Sequence, residues 1–81
     1  MKVRVLYFAV ARELAGTRED DLVLAPGATI GEARRAIERA HPALGASDAR
    51  LRVAKNEAFA ADGETLAEGD VLAILPPVAG G

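Results

Sequence analysis

Three groups in this sequence invite a chemical reading: His41, the acidic run Glu19-Asp20-Asp21, and the carboxylate of Gly81 behind Gly80. His41 is the only histidine, and it precedes Pro42 at a helix end, where a cation complements the helix dipole. The spacing places no base or nucleophile beside it, so a structural role is expected. The acidic run lacks the ligand spacing of a calcium loop and reads as the solvated start of a strand. Ser47 has no nucleophile elbow around it. Neither G-x-x-x-x-G-K nor G-x-G-x-x-G occurs, so no phosphate cradle is expected. With no cysteine, disulfides, thiolate zinc sites, cysteine-held iron–sulfur clusters and a cysteine nucleophile are all excluded. The expectation is no metal, no cofactor held by the chain alone, and no turnover unaided.

That leaves the terminal carboxylate. Gly80 and Gly81 carry no Cβ, so they can take backbone shapes closed to other residues and enter a channel too narrow for side chains. A carboxylate at neutral pH is a poor acyl donor. Attack of its oxygen on the α-phosphate of ATP gives an acyl-adenylate, and a sulfur nucleophile that displaces AMP leaves a thiocarboxylate on Gly81. The stem behind it is Pro76-Pro77-Val78-Ala79. Pro76 and Pro77 bar further ladder hydrogen bonds and favour an extended shape, which lowers the ordering cost of insertion into a partner. Val78 offers one apolar anchor, and Ala79-Gly80-Gly81 would fit a slot. Fully extended, residues 76–81 reach about 20 Å.

The elements that must position this tail follow from the patterning. Eighty-one residues make one domain, and 51% apolar content is enough for one core. A strand is expected over 2–9, with Val3, Val5 and Tyr7 on one face and Lys2 and Arg4 on the other. Leu6 and Phe8 share the polar face, which is anomalous. A helical turn at 10–15 closes at Gly16, and a second strand covers 18–24, pairing with the first. Pro26-Gly27 is a turn. Thr29 to Glu32 spell T-x-x-E, a capping box that opens a helix. Its apolar stripe is Ile30, Ala33, Ile37 and Ala40, with Arg34, Arg35, Glu38 and Arg39 on the wet side. Pro42 ends it at His41.

Residues 45–48 read as loop, 51–55 as strand, Asn56-Glu57 as a turn, 58–61 as a short strand and Glu68-Gly69-Asp70 as a turn. Residues 71–75 form a strongly apolar last strand, with Leu72 and Ile74 facing the helix and Val71, Ala73 and Leu75 facing away. The order implies an α+β fold of the β-grasp (ubiquitin-like) type. Its mixed sheet has about four to five strands, one main helix packs on one face, and the first and last strands are central neighbours. The domain is expected over 1–75 and a flexible tail over 76–81. Leu6, Phe8, Phe59 and Leu75 would make the outer sheet face apolar, which marks a partner site.

The remaining bounds are negative. A net charge of −2 with mixed signs gives no nucleic-acid footprint. No apolar run approaches a membrane span, and the first residues are unlike a signal peptide. A cytoplasmic setting is expected.

The chain resembles the small subunit of molybdopterin synthase (the MoaD family) over essentially its whole length. The resemblance rests on Val5-Leu6-Tyr7-Phe8-Ala9 with Arg12-Glu13-Leu14-Ala15-Gly16, and on Pro26-Gly27-Ala28-Thr29-Ile30. His41-Pro42, Asn56-Glu57 and Glu68-Gly69-Asp70-Val71 also match. The ending Pro76-Pro77-Val78-Ala79-Gly80-Gly81 is the narrowest element. The resemblance implies a sulfur carrier that is not an enzyme by itself. An adenylylating enzyme of the ubiquitin-activating type, using ATP, would charge Gly81, and a sulfurtransferase would supply the sulfur. The tail would then enter the large synthase subunit, in a heterotetramer, and donate sulfur to cyclic pyranopterin monophosphate. The family's apolar contact positions fall on Phe8, Phe59 and Leu75. Lys55 and Val71 depart from the family pattern, which has Val before Asn56 and commonly an acidic residue at position 71.

Three other readings use the same features differently. One is a sibling β-grasp sulfur carrier for thiamin, tRNA thiolation or cysteine synthesis. A second is a ubiquitin-like modifier conjugated through Gly81. The third, a passive interaction or RNA-binding module, leaves Gly80-Gly81 unused.

Overall fold

The computed structural model describes residues 1–46 and 51–76. Eight elements follow in order: β1 (Lys2–Tyr7), α1 (Val10–Ala15), β2 (Glu19–Val23), α2 (Ile30–Ala40), α3 (Pro42–Ala46), β3 (Arg52–Lys55), β4 (Ala58–Phe59) and β5 (Val71–Leu75). The strands form one mixed sheet in the order β2-β1-β5-β3-β4. As expected, β1 and β5 are central neighbours, and they run parallel, with Val5 opposite Leu72 and Tyr7 opposite Ile74. β1 pairs antiparallel with β2, β3 antiparallel with β5, and β4 closes the far edge against β3.

Strict alternation divides the sheet into two faces. On the inner face Val3, Val5, Tyr7, Val53, Leu72 and Ile74 are buried. Against them lie Ile30, Ala33 and Ile37 of α2 and Ala11 of α1. Ile30, Val5 and Leu72 are fully inaccessible. Truncating such a residue to alanine costs about 2–5 kcal/mol, a large fraction of the stability of so small a domain. Ala40, placed on the apolar stripe by periodicity, is exposed in the last turn of α2. Leu44 of α3 fills that end of the core.

The helix begins where the capping box put it. Thr29 is the N-cap and its Oγ1 accepts from the backbone N–H of Glu32 at 3.2 Å. The Glu32 carboxylate then accepts the Thr29 hydroxyl proton at 3.4 Å. Arg34 is half-buried rather than wet, because its guanidinium turns to Asp62 at 3.3 Å. Gly16 ends α1 at φ +74°, with its N–H on the carbonyl of Arg12.

Other expectations changed as well. Pro42 ends α2 but also starts α3, so Gly45 and Ala46 are helical and not loop. Proline suits the first position of a helix, where its missing N–H has no partner to lose. Ser47 and Asp48, the rest of that expected loop, lie outside the described residues. The first strand stops at Tyr7, because Ala9 takes φ +50° and turns the chain into α1.

His41 caps the C-terminal end of α2 and packs edge-on against Tyr7, with ring centroids 5.5 Å apart. Its Nε2 lies 2.6 Å from Asp20 Oδ2, which also accepts the Tyr7 hydroxyl at 2.9 Å. Burial pushes the Asp20 carboxyl up, but the hydrogen bonds from His41 and Tyr7 outweigh it and leave it below the usual carboxylate range. An ionised carboxylate only accepts, so Nε2 carries the proton. Burial first, then the Asp20 hydrogen bond and charge, raise the Tyr7 hydroxyl far above its ordinary value. The three side chains tie the end of α2 to β2 and β1.

Because the Asp20 pKa is depressed by folding, its stabilisation is present above the unfolded value, about 3.9, and is lost as pH falls through the folded value. Asp20→Asn should therefore lower the urea midpoint at pH 6–7, and the gap to wild type should be narrower at pH 3. A gap of the same size at both pH values would sink this account of the triad.

Candidate functional site

The outer face of the sheet is built from the residues that alternation sends away from α2. Leu6 lies opposite Ala73, Ala73 opposite Ala54, and Ala54 opposite Phe59. These four make one apolar row across β1, β5, β3 and β4. Phe8, just beyond β1, donates its N–H to the Ile74 carbonyl at 3.0 Å and so stays in register beside β5. Phe8 and Phe59 remain 45% and 49% exposed, which is unusual for large aromatic groups in so small a chain. Leu75, opposite Arg52 at the end of β5, is half-buried.

Phe8 is a shared wall. On one side of it, one hollow is lined by Ala54, Glu57, Phe59, Ala73 and Leu75. An adjoining hollow is lined by Leu6, Asn56, Glu57, Val71 and Ala73. On its other side Arg12, Arg18 and Glu19 surround a more polar recess. The Arg52 guanidinium lies 3.8 Å from the Phe59 ring centroid. Such a contact is worth about 0.5–1 kcal/mol at an exposed site, and it holds Phe59 at the edge of the face. Lys2 and Arg4 flank Asp21 at 3.8 and 3.9 Å near the start of β1, where the face turns polar.

The structure thus brings together Leu6, Phe8, Phe59 and Leu75 on one face, and places Pro76 directly after β5. The residues expected to form the rest of the tail, Pro77, Val78, Ala79, Gly80 and Gly81, lie outside the described residues. Of the two departures from the family pattern, Val71 lines the outer face. Lys55 does not: its Nζ donates to the Thr65 carbonyl at 3.3 Å and sits 3.9 Å from Glu64. Asn56 and Glu57, a turn and a family-matching pair in the sequence but not an expected contact, also line this face. Their place on the face follows from the β3–β4 hairpin, which spacing alone does not orient. Val23, 80% exposed on β2 opposite Lys2, stands apart from the patch.

Asn56 is the anchor of this corner. Its Oδ1 accepts the Val71 N–H at 2.9 Å and its Nδ2 donates to Asp70 at 3.0 Å. Asp70 in turn accepts the Ala67 N–H at 2.8 Å, and these bonds hold its carboxyl below the usual range. The start of β5 is thereby fixed to the hairpin that carries Glu57. Among the described residues no cluster of three or more His, Cys, Asp or Glu could hold a metal ion. No helix of the described residues is long and apolar enough to cross a membrane.

A mixed sheet with parallel central strands, wrapped on one side by a helix, makes this a β-grasp, ubiquitin-like protein. Residues 5–81 match the model of the ThiS family, and the chain belongs to that family. It is 40% identical over 83 residues to a molybdopterin synthase sulfur carrier subunit of Chlamydomonas reinhardtii, covering 100% of both chains. The crystal structure of small archaeal modifier protein 1 of Haloferax volcanii superposes with a TM-score of 0.85 at 36% identity, covering 95% of this chain and 98% of that one. One subunit in a complex of subunits 1 and 2 of molybdopterin-converting factor from Helicobacter pylori gives a TM-score of 0.71 at 26% identity, covering 100% of both chains.

The faces differ in what they should tolerate. Phe8→Ser should cost about 1 kcal/mol or less, as expected for a half-exposed site, whereas Leu72→Ala should cost about 2–5 kcal/mol. Equal losses in chemical denaturation would place Phe8 in the core and remove the basis for a free outer face.

Proposed function

We propose that this chain is the sulfur carrier subunit of a molybdopterin synthase, with the carboxyl group of Gly81 as the reacting group. The observation that carries the reading is the continuity between face and tail. Ala73 and Leu75, the outward residues of β5, line the apolar hollow beside Phe8, and Pro76 to Gly81 follow in the sequence without a break. A partner seated on the face would stand where β5 ends. The sulfur carrier relatives and the two-subunit complex of a similar protein support this reading.

In the proposed reaction a partner enzyme of the ubiquitin-activating type binds ATP, which the chain itself does not. A Gly81 carboxylate oxygen attacks the α-phosphorus. A P–O bond forms and pyrophosphate leaves. A sulfide-level sulfur nucleophile supplied through a sulfurtransferase then attacks the acyl carbon, a C–S bond forms, and AMP leaves with the former carboxylate oxygen. The stem Pro76-Pro77-Val78-Ala79 inserts with Gly80 and Gly81 into the large subunit, where the sulfur passes to cyclic pyranopterin monophosphate; the C–S bond to Gly81 breaks, and water restores the carboxylate. Leu6, Phe8, Phe59 and Leu75 make the docking contact, and two copies of each subunit form the heterotetramer. The chain is thus a donor subunit and not an enzyme by itself, acting in the cytoplasm.

The likeness to small archaeal modifier protein 1 favours one second reading, conjugation of Gly81 to lysines of other proteins. Intact-mass measurement after incubation with ATP, an activating enzyme and a sulfur donor separates the two. Replacement of one terminal oxygen by sulfur is expected; branched Gly-Gly adducts on other proteins without that exchange would favour conjugation. Deleting Gly81, or adding one residue after it, should abolish sulfur transfer with an unchanged unfolding midpoint. Conversion of the pterin precursor by the extended chain with its large subunit would overturn the role of Gly81.

A further inference from the structure

β3 and β4 are joined by two residues, Asn56 and Glu57, at φ +50° and +73°. Two-residue hairpins of this kind need positive φ at both positions, and Asn-Gly is the pair that meets the need with least strain. Asn56 fits, and its side chain is further used to hold Val71 and Asp70. Glu57 does not fit: a residue with a Cβ and a long side chain sits where glycine would be at ease. Its carboxylate makes no ion pair within 4.0 Å among the described residues. Yet among the described residues Glu57 is the only charged one lining either apolar hollow beside Phe8, and it lines both.

We infer that Glu57 is the specificity-determining charge of the docking face, and that it pairs with an arginine or lysine of the partner protein seated on Phe8. This rests on the reading of that face as the large-subunit contact. A single carboxylate beside an apolar floor becomes shielded from water when the floor is covered. An unpaired charge is then costly, and a matched cation is required. The face therefore selects against partners that present an apolar or acidic side chain at this corner. A residue kept at a strained position for contact with a partner should give opposite answers to folding and to binding.

The test uses the full chain and its large synthase subunit. Glu57→Gly relieves the strain and removes the charge, and Glu57→Lys reverses it. Glu57→Gly should raise the unfolding midpoint while weakening binding about 3- to 10-fold. Glu57→Lys should weaken it more, and its deficit should shrink as salt is raised from 50 to 500 mM. Phe8→Asp is the control for the face itself. If both Glu57 variants bind within twofold of wild type while Phe8→Asp loses binding, the face stands and the role of Glu57 is wrong. If wild type fails to bind the large subunit, or Phe8→Asp binds as well as wild type, the docking reading fails and the inference falls with it.

Discussion

The parallel pairing of β1 with β5 is the constraint on which everything else hangs. It joins residues near the two ends of the described chain, Arg4 to Val71 and Tyr7 to Ile74. Parallel neighbours cannot be linked by a tight turn, so the intervening chain must cross over the sheet. α2 is that crossover, and its buried stripe covers the side chains that the two central strands send inward. The same alternation sends Leu6, Ala73 and Leu75 outward. An apolar inner face and an apolar outer face are therefore products of one pairing, and among the described residues only the inner one is covered.

Two polar networks make this arrangement definite. At one end, Asp20 accepts from both Tyr7 and His41 and ties α2 to β1 and β2. At the other, Asn56 and Asp70 lock the hairpin to the start of β5. The first lies off the apolar patch and the second borders it through Asn56, and each fixes a strand that contributes to it. Through them the floor beside Phe8 keeps its shape without help from a partner, and a rigid floor lowers the ordering cost of association.

Much of this was legible in the residues. Val3, Val5 and Tyr7 announced the inner face by alternation, Thr29 and Glu32 announced the helix start, and Leu6 and Phe8 gave away the outer face by standing among charges. These signals are local, reaching four residues at most. What stayed hidden depends on distance or on backbone angles. Asp20 and His41 are 21 residues apart in sequence, and only the β1–β2 register aims the carboxylate at the ring. Pro42 reads as a stop, and nothing local says that it also starts α3. The positive φ of Glu57 is invisible in a one-letter code whose usual signal there would be glycine. Elimination of the other groups leaves the reactive role to Gly81, and the resemblance adds its partners; Gly81 lies outside the described residues.

The late position of β5 has a consequence for synthesis. Chains emerge from the ribosome N-terminal end first, and non-local pairings form only after both partners are available. Until Leu75 has been made, β1 has no parallel neighbour, Ala73 is missing from the apolar row, and the floor beside Phe8 does not exist. A nascent chain, or one ended before β5, therefore lacks the outer apolar face altogether. That face exists only on a chain finished through its last strand.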